Sequence, residues 1–440
     1  MTVGAIRSFA LVALVSIFVS SAIAQDATSG KNFWVAFPQN ARFEIGGLKQ
    51  WIVVTALEDA EVSVTRPAWK SSSAFTMGRL LKRAESYTFD LDTSAQCIES
   101  ETVEAKGIHV GSTGRITVTA YSIRKASSDS YRIMPIEALG KDYMIVGYTA
   151  PKADPSFTTE FTVVATEDNT ALDIHPTAVT RTGEPPGEMI TVKLDRGQSY
   201  NMKGGNVAGL TGDLTGTKLR ASSPVAVFTG HSCAQVPYYY NFCDVLIEQS
   251  APLDRAGREF ILPKMMNKIA YALRVVATEP STMVRFGDST TALNTGEFKD
   301  IISVEGDRYL SSDKPILVAQ YANSFDADAN KVGDPFMTLV PPLDRFVGLN
   351  TVTIPKLGTD WHHYLAIVCE FSALESLEIN GEAADVRNTT RVNDRYCVVH
   401  LQVPQGIHRV SADGNLAVLN YGFGVGADNF DSYGTYCGPW

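Results

Sequence analysis

Trp51-Ile52-Val53-Val54-Thr55-Ala56-Leu57-Glu58-Asp59-Ala60-Glu61-Val62-Ser63-Val64 is the stretch that decides the fold. Its first half is rich in β-branched and aromatic residues, which fit a pleated, half-buried strand. Glu58-Asp59 breaks the run. Beyond it Ala60, Val62 and Val64 alternate with Glu61 and Ser63, the two-residue period of a strand with one apolar face. The stretch reads as strand, acidic turn, strand.

That pattern returns along the chain. Phe161-Thr162-Val163-Val164-Ala165-Thr166-Glu167-Asp168 leads through Asn169 to Ile174, and Leu273-Arg274-Val275-Val276-Ala277-Thr278-Glu279 leads to Phe286. A weaker fourth copy is Tyr364-Leu365-Ala366-Ile367-Val368-Cys369-Glu370, then Leu377-Glu378-Ile379. Aligned on Val54, Val164, Val276 and Val368, the copies lie 110, 112 and 92 residues apart by subtraction. A second element precedes each copy: Gly30-Lys31-Asn32-Phe33, Gly140-Lys141-Asp142-Tyr143, Gly257-Arg258-Glu259-Phe260 and Gly348-Leu349-Asn350-Thr351. A third, a small polar turn with an apolar strand, follows at Ser112–Tyr121, Ser222–Phe228, Asp313–Tyr321 and Asp413–Tyr421. Three elements in fixed order four times mark a tandem repeat. The modules fall near 30–122, 140–232, 257–322 and 348–424, with 425–440 as a C-terminal tail. Long helical periodicity is missing. The fold class is all-β, tandem repeated β-sandwich-like modules burying apolar faces by sheet-on-sheet packing. Four sheets closed into a ring is the alternative.

Composition sets outer bounds. The chain has 440 residues, 45% hydrophobic and 20% charged, which excludes a wholly disordered or collagen-like chain. The net charge of −10, without a basic run of five, argues against a nucleic-acid partner. Residues 1–24 read as a secretory signal peptide: Arg7, an apolar run Phe9–Val19, and the small-x-small site Ala22-Ile23-Ala24. The apolar run is short for a membrane span, and no later segment reaches about 20 apolar residues. A secreted, extracellular protein without a membrane span is the expectation.

All six cysteines follow the leader, an even count that suits disulfides in an oxidising compartment. Cys233–Cys243 would close a short loop, and Cys369–Cys397 would tie two strands of one module. Cys97 and Cys437 either pair, linking the two ends of the chain, or stay free. Asn388-Thr389-Thr390 is an N-glycosylation acceptor, which expects a surface position.

Taken together, several blocks resemble the N-terminal domain of the IgG Fc-binding protein family. They are Phe33-Trp34-Val35-Ala36-Phe37, Pro224-Val225-Ala226-Val227-Phe228-Thr229-Gly230-His231-Ser232-Cys233, Cys243-Asp244-Val245-Leu246-Ile247-Glu248-Gln249, Asp334-Pro335-Phe336-Met337-Thr338-Leu339-Val340-Pro341-Pro342, and Tyr421-Gly422-Phe423-Gly424 with Ser432-Tyr433-Gly434. The resemblance implies a secreted, non-enzymatic, ligand-binding or adhesive role at cell surfaces, in mucus or in matrix.

The loop between Cys233 and Cys243 is the sharpest candidate surface. Tyr238, Tyr239, Tyr240 and Phe242 put four aromatics into six residues, and tyrosine offers large contact area at low entropic cost. The competing expectation is that these rings fill a crevice between modules. Adjacent His362 and His363 on a strand point to opposite faces and cannot share one metal. His231 beside Cys233 suggests a Cys-His nucleophile only if the thiol is free. Asp326, Asp328 and Asn330 have the spacing that opens a calcium loop, but Lys331 and Met337 occupy the positions where an EF-hand needs Gly and Glu. No catalytic residue, metal or cofactor is assigned. The expected partner is an extracellular protein or glycan. The alternative is a secreted hydrolase or carbohydrate-binding accessory protein with a site between modules.

Overall fold

A computed structural model describes residue 1 and residues 28–41, 47–69, 75–149, 154, 156–206, 212–358, 360–425 and 429–437. The leader read over residues 1–24 lies, Met1 aside, outside the described residues. Strands and short 3-10 turns make up the regular structure of the described residues, in four curled sheets that form repeated β-sandwich-like modules.

Each sheet is built around a long strand: Ile108–Arg124, Lys218–Gln235, Arg308–Ala322 and Gly406–Gly424. The two strands of the recurring element flank it on either side, as Lys49–Ala56 and Ala60–Thr65 do in the first sheet. All these ladders are antiparallel. The alternation read over residues 60–65 is present, with Ala60, Val62 and Val64 buried.

Strands buried on both faces explain the continuous apolar runs. In the second sheet Phe161, Val163 and Ala165 fill the sheet's own curl, while Val164 joins Ala226 and Phe228 against the first sheet. The equivalent residues are therefore Val54, Val163, Val275 and Ile367. They lie opposite Val118, Val227, Val318 and Val418 on the long strands. The valine alignment used on the sequence sets the first copy one residue out of step. A Val-Val doublet does not reveal which valine faces inward when both are buried, and a one-residue slip exchanges the faces. Hydrogen bonds settle the register. Ala56, Ala165 and Ala277 each donate to the carbonyl of Glu85, Gln198 or Glu297, and each accepts from Ala84, Gly197 or Gly296.

The back face of each sheet packs on its neighbour in cyclic order. First and second sheets share Val164, Phe228 and Tyr131; second and third share Tyr148, Leu246 and Tyr321. Third and fourth share Phe336, Tyr364 and Tyr421; fourth and first share Tyr433, Val53 and Tyr121. Full burial of each large apolar side chain contributes about 1.5–3 kcal/mol, so every joint holds. The sandwich-like modules are thus also closed into a ring.

Four further strands line the ring's axis: Ser127–Ile133, Cys243–Gln249, Met337–Leu339 and Ser432–Tyr436. Each pairs with the long strand of its own sheet. The first and third pack against both the second and the fourth. Residues 432–436, assigned from sequence to the tail, form the fourth of them. One carboxylate joins all four. Asp129 accepts the amides of Ser130 at 2.7 Å, Ile247 at 3.0 Å, Met337 at 3.3 Å and Gly434 at 3.4 Å. These four residues occupy the same repeat position, opposite Tyr121, Gly230, Tyr321 and Tyr421. The axis therefore gathers one N–H from each sheet, and a single acidic side chain satisfies them.

Candidate binding surface at the axial mouth

The connections from long strands to axial strands meet at one end of the ring, and the aromatic loop is one of them. Cys233 and Cys243 form a disulfide across the base of this hairpin. The Val236–Pro237 peptide is cis, and Tyr240 N–H closes a turn on the Pro237 carbonyl at 3.1 Å. Its neighbour in the third sheet holds the hairpin down. Ser324 Oγ donates to the Phe242 carbonyl at 2.7 Å and accepts from the Val236 amide at 2.8 Å. Asp326 accepts the Asn241 amide and side chain at 3.2 and 3.0 Å.

The three tyrosines contact one another, and Phe242 packs with Phe325 and Phe430. Tyr238, Tyr239 and Phe242 are 51%, 41% and 40% exposed, so solvent-facing area remains on each, and Tyr240 is half-buried. Tyr239 lies 5.4 Å from Tyr238 and 4.9 Å from Tyr240 between ring centres. Phe242 meets Phe325 edge-on at 5.4 Å and Phe430 at 6.4 Å, and Tyr238 lines the cleft between second and third sheets, so part of the crevice-filling expectation is also present. Phe325 in turn packs on Phe430 at 4.6 Å. The surface thus draws on the second, third and fourth sheets. Sequence reading missed Phe325 and Phe430 because each is a lone aromatic in a polar stretch. Comparing the equivalent connections of the four repeats would have found them.

Beneath the rings lies a buried acidic floor. Burial pushes Asp244 well above the usual carboxylate range, and the nearby Asp334 and Asp431 push it further. Asp334 and Asp431 are themselves raised to about 7, chiefly by burial. Lys268, lowered to about 8 by burial, donates to the carbonyls of Asn323 and Gly333, both at 2.8 Å. The calcium-like spacing is spent on backbone: Asp328 accepts the amides of Ile269 at 2.6 Å and Asn330 at 3.0 Å. Among the described residues no three acidic, His or Cys side chains are grouped to hold a metal ion.

Beside the hairpin a cleft of about 650 Å³ separates second and third sheets, with Tyr238, Phe298 and Arg274 in its wall. Arg274 is fully buried. It forms a two-pronged pair with Asp300 at 2.7 and 2.8 Å and reaches Asp213 at 2.7 Å and Thr215 at 2.8 Å. Its charge is consumed within the protein and ties the two sheets together.

The remaining candidates are separate. His231 is buried, accepts the Cys233 amide at 3.1 Å, and is held neutral down to about pH 3 by burial. Its neighbouring sulfur is in the disulfide, so the Cys-His arrangement has no thiolate. His362 is exposed and His363 buried against Tyr433, on opposite faces as their spacing requires. Cys369 and Cys397 are buried directly across two paired strands, with sulfurs 3.8 Å apart as thiols. Cys97 lies in the first core with its sulfur 3.9 Å from Ser199 Oγ, whereas Cys437 lies in the fourth core beside Cys369 and Cys397. The ring closes without bringing Cys97 and Cys437 into one core. Asn388 is exposed on a turn of the fourth sheet.

Fold and surface together define an all-β repeat protein that presents a disulfide-braced aromatic face. Comparison with known sequences narrows this to one family. The family model described as IgGFc binding protein matches residues 129–422, and the chain belongs to that family. The human IgGFc-binding protein is 26% identical over 412 residues, covering 90% of this chain. The matched region is 7% of the human protein's length. No helix among the described residues is long and apolar enough to cross a membrane.

Proposed function

We propose that this chain is an exported, non-enzymatic binding protein that meets an extracellular protein or glycan through the hairpin rings Tyr238, Tyr239, Tyr240 and Phe242. The observation that carries this reading is the pairing of exposed aromatic area with rigid support. The rings sit on a disulfide-closed hairpin fixed by side chains of the third sheet. Such a surface loses little entropy on binding. The signal-like composition of residues 1–24 and the disulfide support export, and the exposure of Asn388 suits its reading as a glycosylation acceptor. Family membership favours binding over catalysis and an adhesive setting in mucus or matrix.

Immobilised chain is to be tested against immunoglobulin Fc and a glycan array by interferometry, alongside Tyr239→Ala and Phe242→Ala. Capture from native extracellular fluid with mass spectrometry widens the search. The expected result is a ligand whose affinity falls at least tenfold in both variants. A ligand that binds both variants as well as the parent overturns the assignment to these rings. The cleft beside Tyr238 supports a second reading, a small polar or glycan ligand between modules. There Tyr238→Ala would weaken binding while Phe242→Ala would not.

A further inference from the structure

Each sheet ends on the same edge strand, and the repeats treat that edge differently. In the second sheet the edge strand Ser199–Lys203 is covered by Thr102–Glu104, which arrives from the first repeat. The pairing is antiparallel, Glu104 with Ser199, Val103 with Tyr200 and Thr102 with Asn201. Ser199 Oγ donates to the Glu104 carbonyl at 3.3 Å, and the Asn201 carbonyl accepts the Glu101 amide at 2.6 Å. In the fourth sheet the edge strand Tyr396–Val403 is taken by its own Thr389–Arg391. The third sheet's edge strand Phe298–Val304 pairs with no strand on its outer side among the described residues; the second repeat meets this sheet only beside the edge, at Arg274 on the neighbouring strand and at Gly296 in the turn before it.

The first sheet's edge is open as well, and a cavity lies against it. Its edge strand Ser86–Leu91 pairs with Lys49–Ala56, and among the described residues no strand pairs with its other side. The repeat position that should supply a cover lies in the fourth module. There only residues 404–405 join Tyr396–Val403 to Gly406–Gly424, whereas residues 92–107 make the same connection in the first module. A cavity of about 490 Å³ occupies the vacant place, lined by Arg79, Ser86 and Tyr87 on one side and Gly406 and Ile407 on the other.

Sequence at the two edges agrees. Ser86-Tyr87-Thr88 occupies the positions of Ser199-Tyr200-Asn201, because Tyr87 lies opposite Val54 as Tyr200 lies opposite Val163. Ala56 N–H bonds the Glu85 carbonyl at 2.9 Å, so backbone groups at residue 85 point into the sheet. Alternation then turns those of Ser86 and Thr88 outward. Arg79 stacks over Tyr87 at 4.7 Å, and Glu85 lines the same cavity.

We infer that Ser86–Leu91 is a docking edge for an extended, acidic polypeptide segment of another protein, which adds a strand antiparallel to it as Thr102–Glu104 does in the second sheet. Main-chain bonds to Ser86 and Thr88 supply affinity, and Arg79 selects a carboxylate. The inference is independent of the aromatic surface.

The probe is a fluorescein-labelled peptide with the sequence of residues 99–105, Glu-Ser-Glu-Thr-Val-Glu-Ala, read by fluorescence polarisation on the full chain. Saturable binding is expected, with at least a tenfold loss in Thr88→Pro, which removes only an outward N–H. A similar loss is expected in Arg79→Glu, and no saturable binding of a control peptide in which the three Glu are replaced by Gln. Hydrogen exchange on the parent protein covers the case in which Thr88→Pro misfolds. The amides of Ser86 and Thr88 should exchange rapidly alone and slow at least tenfold with peptide. Amides already protected without peptide, unchanged binding to Arg79→Glu, or chain dimers whose formation blocks the peptide would each overturn the inference.

Discussion

The amide of Ile247 donates to the carboxylate of Asp129 at 3.0 Å, joining the second sheet to the first at the ring's axis. Met337 and Gly434 do the same from the third and fourth. Replacing Asp129 with Ala leaves several buried N–H groups without an acceptor, each costing about 1–3 kcal/mol. A loss of roughly 3–5 kcal/mol is expected, a large part of the stability of an ordinary domain. Urea unfolding of Asp129→Ala against the parent measures it. A midpoint within error of the parent would show that the sheets do not depend on this acceptor.

Asp431 carries a pH signature. Burial raises it to about 7, against bonds from Ser128 and from the backbone of Ser127 and Ala126. An acid whose folded pKa lies above its unfolded value binds protons more tightly when folded. Its contribution is fully present below about pH 3.8 and is lost as pH rises to about 7. The unfolding free energy of the parent minus that of Asp431→Asn should therefore fall between pH 4 and 7 and level off above. A difference that rises over this interval would contradict the burial.

Arg274 ties two sheets through acids on both. Arg274→Met leaves Asp213 and Asp300 without their cation. Breaking one side of such a buried cluster costs about 3–5 kcal/mol. Replacing all three with apolar residues should recover part of that loss. Thermal unfolding of the single and triple variants tests this, and equal melting temperatures for Arg274→Met and parent would be the contrary result.

Oxidation should respect the cores. With sulfurs 3.8 Å apart on paired strands, Cys369 and Cys397 are placed to link under oxidising conditions. Peptide mapping under non-reducing conditions is expected to show Cys233–Cys243 and Cys369–Cys397. Recovery of a Cys97–Cys437 peptide would mean that the two cores holding those residues come together in solution.

Much of this was legible without coordinates. The period-two pattern at Ala60–Thr65 and the fourfold order of elements depend on local chemistry, so strand content and repeat number followed from order alone. The Val53-Val54 doublet shows where that ends: with both faces buried, alternation carries no sign, and the repeat register was read one residue out. The axial strands escaped notice for a related reason. Ser127-Ser128-Asp129-Ser130 is polar, and its burial makes sense only when three distant amides arrive to satisfy Asp129. Phe325 and Phe430 likewise acquire a role only beside Phe242. Local sequence determined what each repeat would become. Closure of the ring decided which polar groups are satisfied, which rings meet and which edges are left open, because those depend on pairings between residues hundreds of positions apart.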